Sequence, residues 1–227
     1  MKIQRLSTNS PIDKILDGGI EFSSVTNFYG PPGSGKTNIA LSTLLSVKDK
    51  KIIFMDTEGS FSFERLAQIT KREETFENVL RRIILLEPRN WQEQSEMIKN
   101  LEKIVEDEEI GLIVIDSIVA LYRIEINQKN FSDINRELAS QYSTLSRISR
   151  EKNIPILVTN QIYLSGEDVE LTSKTIARYW SKTLIELKKT DRPNHRLAIL
   201  RKHRSLPEGQ SIEFVIVRDG LKPVGIF

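Results

Sequence analysis

The run Gly30-Pro31-Pro32-Gly33-Ser34-Gly35-Lys36-Thr37 constrains this chain more than any other feature. It fits G-x-x-x-x-G-K-[S/T] in full. Its flanks supply the context the motif requires, because Ser24–Tyr29 reads as a strand and Lys36–Val47 as a helix. Glycines let backbone N–H groups turn inward around an anion, and a helix starting at Lys36 adds its positive dipole end. Lys36 brings a charge to the β- and γ-phosphates of a nucleotide, and the Thr37 hydroxyl completes a Mg²⁺ shell. A chance match is expected at on the order of one in tens of thousands of positions. ATP with Mg²⁺ is therefore the expected ligand.

The rest of the chain alternates in the same way. Lys51–Asp56, Ile83–Leu86, Leu112–Asp116 and Ile154–Thr159 read as further strands. Met97, Ile98, Leu101, Ile104 and Val105 keep helical spacing across Trp91–Asp107, and Ile134, Leu138, Leu145 and Ile148 mark another helix. Alternating strands and helices imply right-handed crossovers and a mainly parallel sheet. The last third changes character. Thr183–Lys188, Leu197–Lys202 and Ile212–Val217 are three strands joined by short polar turns, which predicts an antiparallel meander. The expected class is α/β, with a parallel core and a C-terminal antiparallel extension.

Composition narrows the chemistry. The 227 residues include no cysteine and only two histidines, His195 and His203, which argues against thiolate or histidine metal centres and a cysteine nucleophile. No stretch approaches the ~18 apolar residues of a membrane span, and the first ten residues do not read as a signal peptide. A cytoplasmic location is expected. Lys+Arg is 33 against 31 for Asp+Glu, yet Ser173–Ser205 alone holds ten Lys/Arg and two acids. That asymmetry suggests a polyanion partner; the alternative is lysines decorating solvated strand faces.

A phosphate site needs a second group on its metal side. Asp116 ends the apolar run Leu112-Ile113-Val114-Ile115-Asp116, and an acid at the carboxyl end of a buried strand faces the crevice where ligands bind. Glu58, in Asp56-Thr57-Glu58-Gly59, lies just past the second strand on the same edge, where a carboxylate can polarise an attacking water. Gln161 ends Thr159-Asn160-Gln161, where an uncharged amide can touch the γ-phosphate and report its loss to the loop that follows.

In this order Gly30–Thr37, Asp56–Gly59, Asp116-Ser117 and Thr159–Gln161 resemble the ATPase core of RecA-type recombinases, and more closely the archaeal and eukaryotic branch of that family. Ser7–Glu21, Phe61–Leu66 and Asp116–Arg123 are also similar to that branch, so the resemblance covers nearly the whole chain. It implies a RecA-like P-loop ATPase core, with Glu58 as the water-activating glutamate and Gln161 as the γ-phosphate sensor. Arg65 falls where the family stacks an arginine on adenine. Glu125–Phe131 matches the first DNA-binding loop, with Lys129 as a basic contact. Lys202–Glu208 resembles the segment that caps ATP from a neighbouring protomer, so Lys202 and Arg204 are expected to act in trans. Lys174, Arg178 and Lys182 add positive charge near the second DNA loop, residues 162–176.

The chain also departs from the family. No helix-hairpin-helix segment and no Phe-x-x-Ala tether precede the core in this sequence, so a single ATPase domain over 1–227 is expected. The second DNA loop is short and lacks the family's Gly-Gly. These departures point to the family's short archaeal paralogues and away from strand exchange. The resemblance then implies an accessory factor in homologous recombination and DNA repair. Such a factor binds ATP, binds DNA independently of its sequence, hydrolyses ATP weakly, and works with the RadA recombinase and a Holliday-junction resolvase; the sequence leaves a homo-oligomer open. The competing reading is a KaiC-like ATP-gated protein-interaction switch that does not use DNA. Relatives of that kind carry paired glutamates after the second strand, whereas Glu58 stands between Thr57 and Gly59. Tyr163 and Tyr179 read as core or rim residues rather than base-stacking platforms, and Trp91 and Trp180 as packing residues.

Overall fold

The computed structural model describes residues 3–70, 75–165, 168–171 and 174–225. In chain order the elements are β1 (Arg5–Leu6), β2 (Ile20–Glu21), β3 (Val25–Gly30), α1 (Lys36–Leu44), β4 (Lys51–Asp56), α2 (Phe63–Ile69) and α3 (Phe76–Arg82). Then follow β5 (Ile83–Leu86), α4 (Trp91–Asp107), β6 (Ile110–Asp116), α5 (Ala120–Glu125), α6 (Phe131–Lys152) and β7 (Ile156–Ser165). The chain ends with β8 (Asp168–Leu171), α7 (Lys174–Trp180), β9 (Thr183–Lys189), β10 (His195–Lys202), β11 (Ser211–Val217) and β12 (Gly220–Pro223).

One ten-stranded sheet carries the fold, in the order β12-β11-β10-β9-β3-β7-β6-β4-β5, with β8 paired to β7. From β9 to β5 every neighbour is parallel, and from β9 to β12 every neighbour is antiparallel. This is the expected α/β class with its antiparallel extension. The strands β1, β2, β8 and β12 and the short helices α2, α3, α5 and α7 are additions to the expected elements.

The central strands are buried on both faces, which explains their near-continuous apolar runs. Alternation along β6 sends Leu112 and Val114 to one core and Ile113 and Ile115 to the other. The first core lies under α1 and α2 and extends beneath the antiparallel strands through Ile185, Leu187, Ala198, Leu200 and Phe214. The second lies under α4, α5 and α6 and includes Trp91, Leu101, Tyr142 and Leu145. Trp91 is 6% exposed and meets Tyr122 edge-to-face at 5.8 Å, so it packs as expected.

A buried amide network ties the second layer to the sheet. Gln94 Nε2 donates to Gln141 Oε1 at 2.8 Å and to the Ile118 carbonyl at 3.0 Å, and Gln141 Nε2 donates to Ser95 Oγ at 2.7 Å. These bonds fix α4 against α6 and against the turn that follows β6. Helix α4 starts where it does because Asn90 Oδ1 accepts from Glu93 N at 2.9 Å, while the Glu93 carboxylate accepts from Asn90 Nδ2 and from Arg89 N.

Registry brings the chemistry to one edge. Gly30 of β3 pairs with Gln161 of β7, and Asp56 of β4 pairs with Asp116 of β6. All four lie at the carboxyl end of the parallel strands, in the crevice where open α/β sheets bind ligands.

Candidate functional site

The phosphate loop joins β3 to α1. Gly33 and Gly35 hold φ of +72° and +101°, backbone that other residues rarely adopt. Gly30 is constrained differently, because a Cβ there would lie 2.4 Å from the Leu187 carbonyl oxygen and 2.7 Å from Ser34 Oγ. Lys36 is buried, and its Nζ donates to the Gly30 and Pro31 carbonyls at 2.9 and 3.0 Å. Burial lowers the pKa of this ammonium, while Asp116 and Glu58 act against that shift.

Asp116 sits opposite. Thr37 Oγ1 donates to its Oδ2 at 2.7 Å, Ser60 Oγ donates to the same oxygen at 3.2 Å, and Thr159 Oγ1 donates to Oδ1. Burial pushes the Asp116 carboxyl above its usual range, and the Thr159 and Thr37 hydroxyls pull it back. The peptide bond from Asp116 to Ser117 is cis. Thr57 Oγ1 brackets Ser117, donating to its carbonyl at 2.6 Å and accepting from its N–H at 3.0 Å.

Asp56 shapes the turn that carries Glu58. Its Oδ1 accepts from the N–H groups of Glu58 and Ser60, both at 3.1 Å, and its Oδ2 accepts from Phe61 N at 2.7 Å. The exposed carboxylate of Glu58 accepts two bonds from Gln161 Nε2, at 2.8 and 2.9 Å. Gln161 Oε1 in turn accepts from Arg123 NH1 at 3.3 Å. A cleft of about 350 Å³ collects Gly33, Lys36, Thr37, Glu58, Asp116 and Gln161.

The residues fit a magnesium nucleotide. A buried ammonium, a buried Ser34 hydroxyl without a bonding partner, and inward-turned glycines form a cradle of donors. Among the described residues no group of three or more His, Cys, Asp or Glu is placed to hold a metal by itself. A Mg²⁺ here would depend on Thr37, Asp116 and the nucleotide's own phosphates, the usual arrangement for a hard cation that keeps water and phosphate oxygens.

The family model Rad51 matches residues 1–224. The chain belongs to the Rad51 family. Among Rad51-family relatives, it is 44% identical over 223 residues to the DNA repair and recombination protein RadB of Methanosphaera stadtmanae, spanning 95% of this chain and 94% of the relative. It is 41% identical over 226 residues to the protein of the same name in Methanobrevibacter smithii, spanning 96% and 95%. The crystal structure of the RadB recombinase superposes with a TM-score of 0.84 at 36% identity, covering 96% of this chain and 99% of that one. The fold is therefore RecA-like, and nucleotide with Mg²⁺ is the cofactor class this family implies.

The remaining expected residues fall outside the cleft. Arg65, on α2, donates through Nε to Asn38 Oδ1 at 2.7 Å and through NH1 to the Arg218 carbonyl at 2.7 Å, so its plane is held between α1 and the β11–β12 turn. Lys129 is exposed in a turn built by Asn127 and Asn130. Arg178 and Lys182 are exposed around the end of α7. Lys174 opens α7, and its side chain lies outside the described residues, as does that of Tyr163. Between 162 and 176 the backbone forms a β7–β8 hairpin pairing Ile162 with Leu171, where a loop was expected. Of the two places expected for Tyr179, core or rim, the core is ruled out: it is 71% exposed, edge-to-face with Trp180 at 5.3 Å.

Lys202 Nζ donates to the Ser181 carbonyl at 2.8 Å and to that of Arg178, which secures the end of α7 within the same chain. Arg204 Nε lies 3.6 Å from Glu21 Oε2. Lys202 ends β10, opposite Leu184 near the start of β9, and Arg204 follows it, at the end of the sheet away from the P-loop.

Sequence reasoning passed over Asp56, Ser60, Thr159 and Arg123, which position the groups it did select. It also missed Arg196, whose Nε donates to the Gly33 carbonyl at 3.0 Å.

Proposed function

We propose that this chain is an ATP- and DNA-binding accessory protein of homologous recombination and DNA repair. The observation that carries the reading is the meeting of the Thr37 hydroxyl with Asp116 beside the Glu58–Gln161 pair. It occurs in a chain whose relatives, aligned over more than nine-tenths of it, are DNA repair and recombination proteins. The protein-interaction switch without DNA has no comparable support, since the matching family model is Rad51.

Each residue has a stated task. The backbone of residues 30–37 and the Lys36 ammonium bind and orient the phosphates. Thr37 and Asp116 would hold a Mg²⁺, which when bound would neutralise charge on the phosphates. Glu58 accepts the proton of an attacking water. Arg65 offers a fixed guanidinium plane to the adenine. Gln161 exchanges its bonds to Glu58 for one to the γ-phosphate.

That exchange is the link to DNA. Gln161 touches Arg123 of α5, which leads into the turn carrying Lys129, and it also precedes the β7–β8 hairpin. Lys129, Lys174 and Arg178 supply backbone contacts that are independent of base sequence and sensitive to salt. Hydrolysis is slow in the isolated chain. A cationic group supplied by a neighbour contributes about 10³–10⁵ in rate in related phosphoryl transfer, and Lys202 is here engaged with its own α7. Lys202 and Arg204 act on a neighbour's nucleotide only within a homo-oligomer. By resemblance to the family, the working partners are the RadA recombinase and a Holliday-junction resolvase. Among the described residues no helix is long and apolar enough to cross a membrane. The proposed site of action, the cytoplasm, rests on the expected role in DNA repair.

The test is DNA affinity across a salt series with ATP, with ADP and without nucleotide. The reading expects binding that weakens steeply with salt and changes with the nucleotide. Negligible affinity at low salt with ATP present would return the chain to the switch class.

A further inference from the structure

The β9 and β10 strands carry two cations in positions where their pattern calls for hydrophobes. Along the face that packs on α1, β9 presents Ile185 and Leu187, and β10 presents Ala198 and Leu200, all buried. The next positions on that face, toward the P-loop, are Lys189 and Arg196. They are direct cross-strand partners. Like charges placed opposite one another in a sheet are destabilising.

The other face of the same strands shows how such charges are normally settled. There Lys188 and Arg201 both reach the buried carboxylate of Glu186, at 3.4 and 2.6 Å. On the P-loop face neither Lys189 nor Arg196 has a carboxylate within ion-pair distance among the described residues. Their heads converge on one glycine. Arg196 Nε donates to the Gly33 carbonyl at 3.0 Å and NH1 to the His195 carbonyl at 2.7 Å. Lys189 Nζ lies 3.2 Å from where a Gly33 Cβ would be. Arg196 lines the same cleft as Lys36, Thr37 and Asp116.

We propose that Lys189 and Arg196 form a second cationic clamp on the nucleotide's polyphosphate, supplied by the same chain from the β9–β10 hairpin. The clamp rests on the reading of this cleft as a nucleotide site. A hairpin that holds an unbalanced pair of cations against the phosphate loop is disfavoured until an anion arrives, so binding energy is directed at the polyphosphate and not at the base or sugar. The clamp strengthens ATP binding without a neighbouring protomer.

The experiment measures equilibrium affinities of the full chain for ATP, ADP and AMP with Mg²⁺. It compares the wild type with Lys189→Gln, Arg196→Gln and Lys36→Ala, and records melting temperatures without nucleotide. Each glutamine variant is expected to weaken ATP about tenfold, ADP less, and AMP hardly at all. Melting of the nucleotide-free protein stays level or rises, because a repulsion has been removed. Arg196→Lys, which keeps the charge, recovers part of the ATP affinity. Unchanged ATP affinity in both glutamine variants, with loss in Lys36→Ala, overturns the clamp and leaves the nucleotide site standing. Equal losses for ATP and AMP with a lowered melting temperature also overturn it, since the pair would then only brace the fold. ATP binding by Lys36→Ala at the wild-type level overturns the nucleotide reading and the clamp with it.

Discussion

Gln161 Nε2 donates to both carboxylate oxygens of Glu58, at 2.8 and 2.9 Å, so the residue assigned to sense the γ-phosphate holds the residue assigned to activate water. The carboxylate that needs a lone pair for water is engaged on both oxygens. Under the proposed function, a γ-phosphate that drew the Gln161 amide away would free Glu58 when a substrate is in place. Glu58→Gln is expected to lower single-turnover ATP hydrolysis by about 10²-fold or more while leaving ATP affinity within a few-fold. Hydrolysis at the wild-type rate in that variant would remove Glu58 from the chemistry.

The same amide accepts from Arg123 on α5, so it connects the cleft to the element preceding Lys129. Gln161→Ala is expected to retain ATP binding and to bind DNA with an affinity that no longer differs between ATP and ADP. The measurement is a DNA titration under each nucleotide. A nucleotide difference as large as in the wild type would mean that the signal travels another way.

Asp116 illustrates a cost in stability accepted for a site. Its carboxyl is buried, and burial disfavours its charged form. Thr37, Thr159 and Ser60 are hydroxyls and can reverse their bonds to suit an amide. Asp116→Asn is therefore expected to melt at or above the wild-type temperature without ligand, yet to gain nothing from Mg²⁺ with ATP. Wild-type protein gains on adding both, as linkage requires. A variant that melts well below the wild type would show that the carboxylate contributes to the fold.

The expected trans segment carries a pH-sensitive turn. The His203 side chain is 1% exposed, and its Nδ1 accepts from the N–H groups of Ser205 and Leu206, both at 3.1 Å. Burial lowers its pKa, Glu21 opposes that, and Arg5 and Arg204 reinforce it, with Asp17 a smaller opposing charge. A depressed histidine pKa means that the unfolded chain binds the extra proton more readily. Stability is then fully present above the ordinary histidine value of about 6.5 and declines as pH falls from there toward the lowered folded value. The slope is at most about 1.4 kcal/mol per pH unit, one proton's worth. His203→Asn keeps an acceptor near Nδ1 and removes the titration. Denaturant melts between pH 7 and pH 5 should therefore be flatter in that variant, and parallel slopes would exclude His203 as the source.

Much of this arrangement was legible from residue order. Gly30–Thr37 is a local motif, and Asp116 is marked by the apolar run it ends, so both are read without knowing any neighbour. Glu58 and Gln161 are read as strand ends, and the parallel register brings them together. Residues that act through register are not legible in this way. Thr159 reads as strand filling until β7 lies beside β6, and Lys189 and Arg196 read as surface charges until β10 pairs with β9. The short elements α2, α3, α5, α7 and β12 span at most seven residues each and carry too few turns or alternations to register as patterns. Whether Tyr179 lies in the core or at the rim depends on what α7 packs against, which its own sequence does not contain.

The most direct test of the account is ATP binding at equilibrium, with and without Mg²⁺, by the wild type and Lys36→Ala. The account predicts Mg²⁺-strengthened binding by the wild type and at least about a hundredfold weaker binding by the variant, since a buried charge-assisted contact to phosphate is lost. Equal ATP affinity in the two proteins would contradict it.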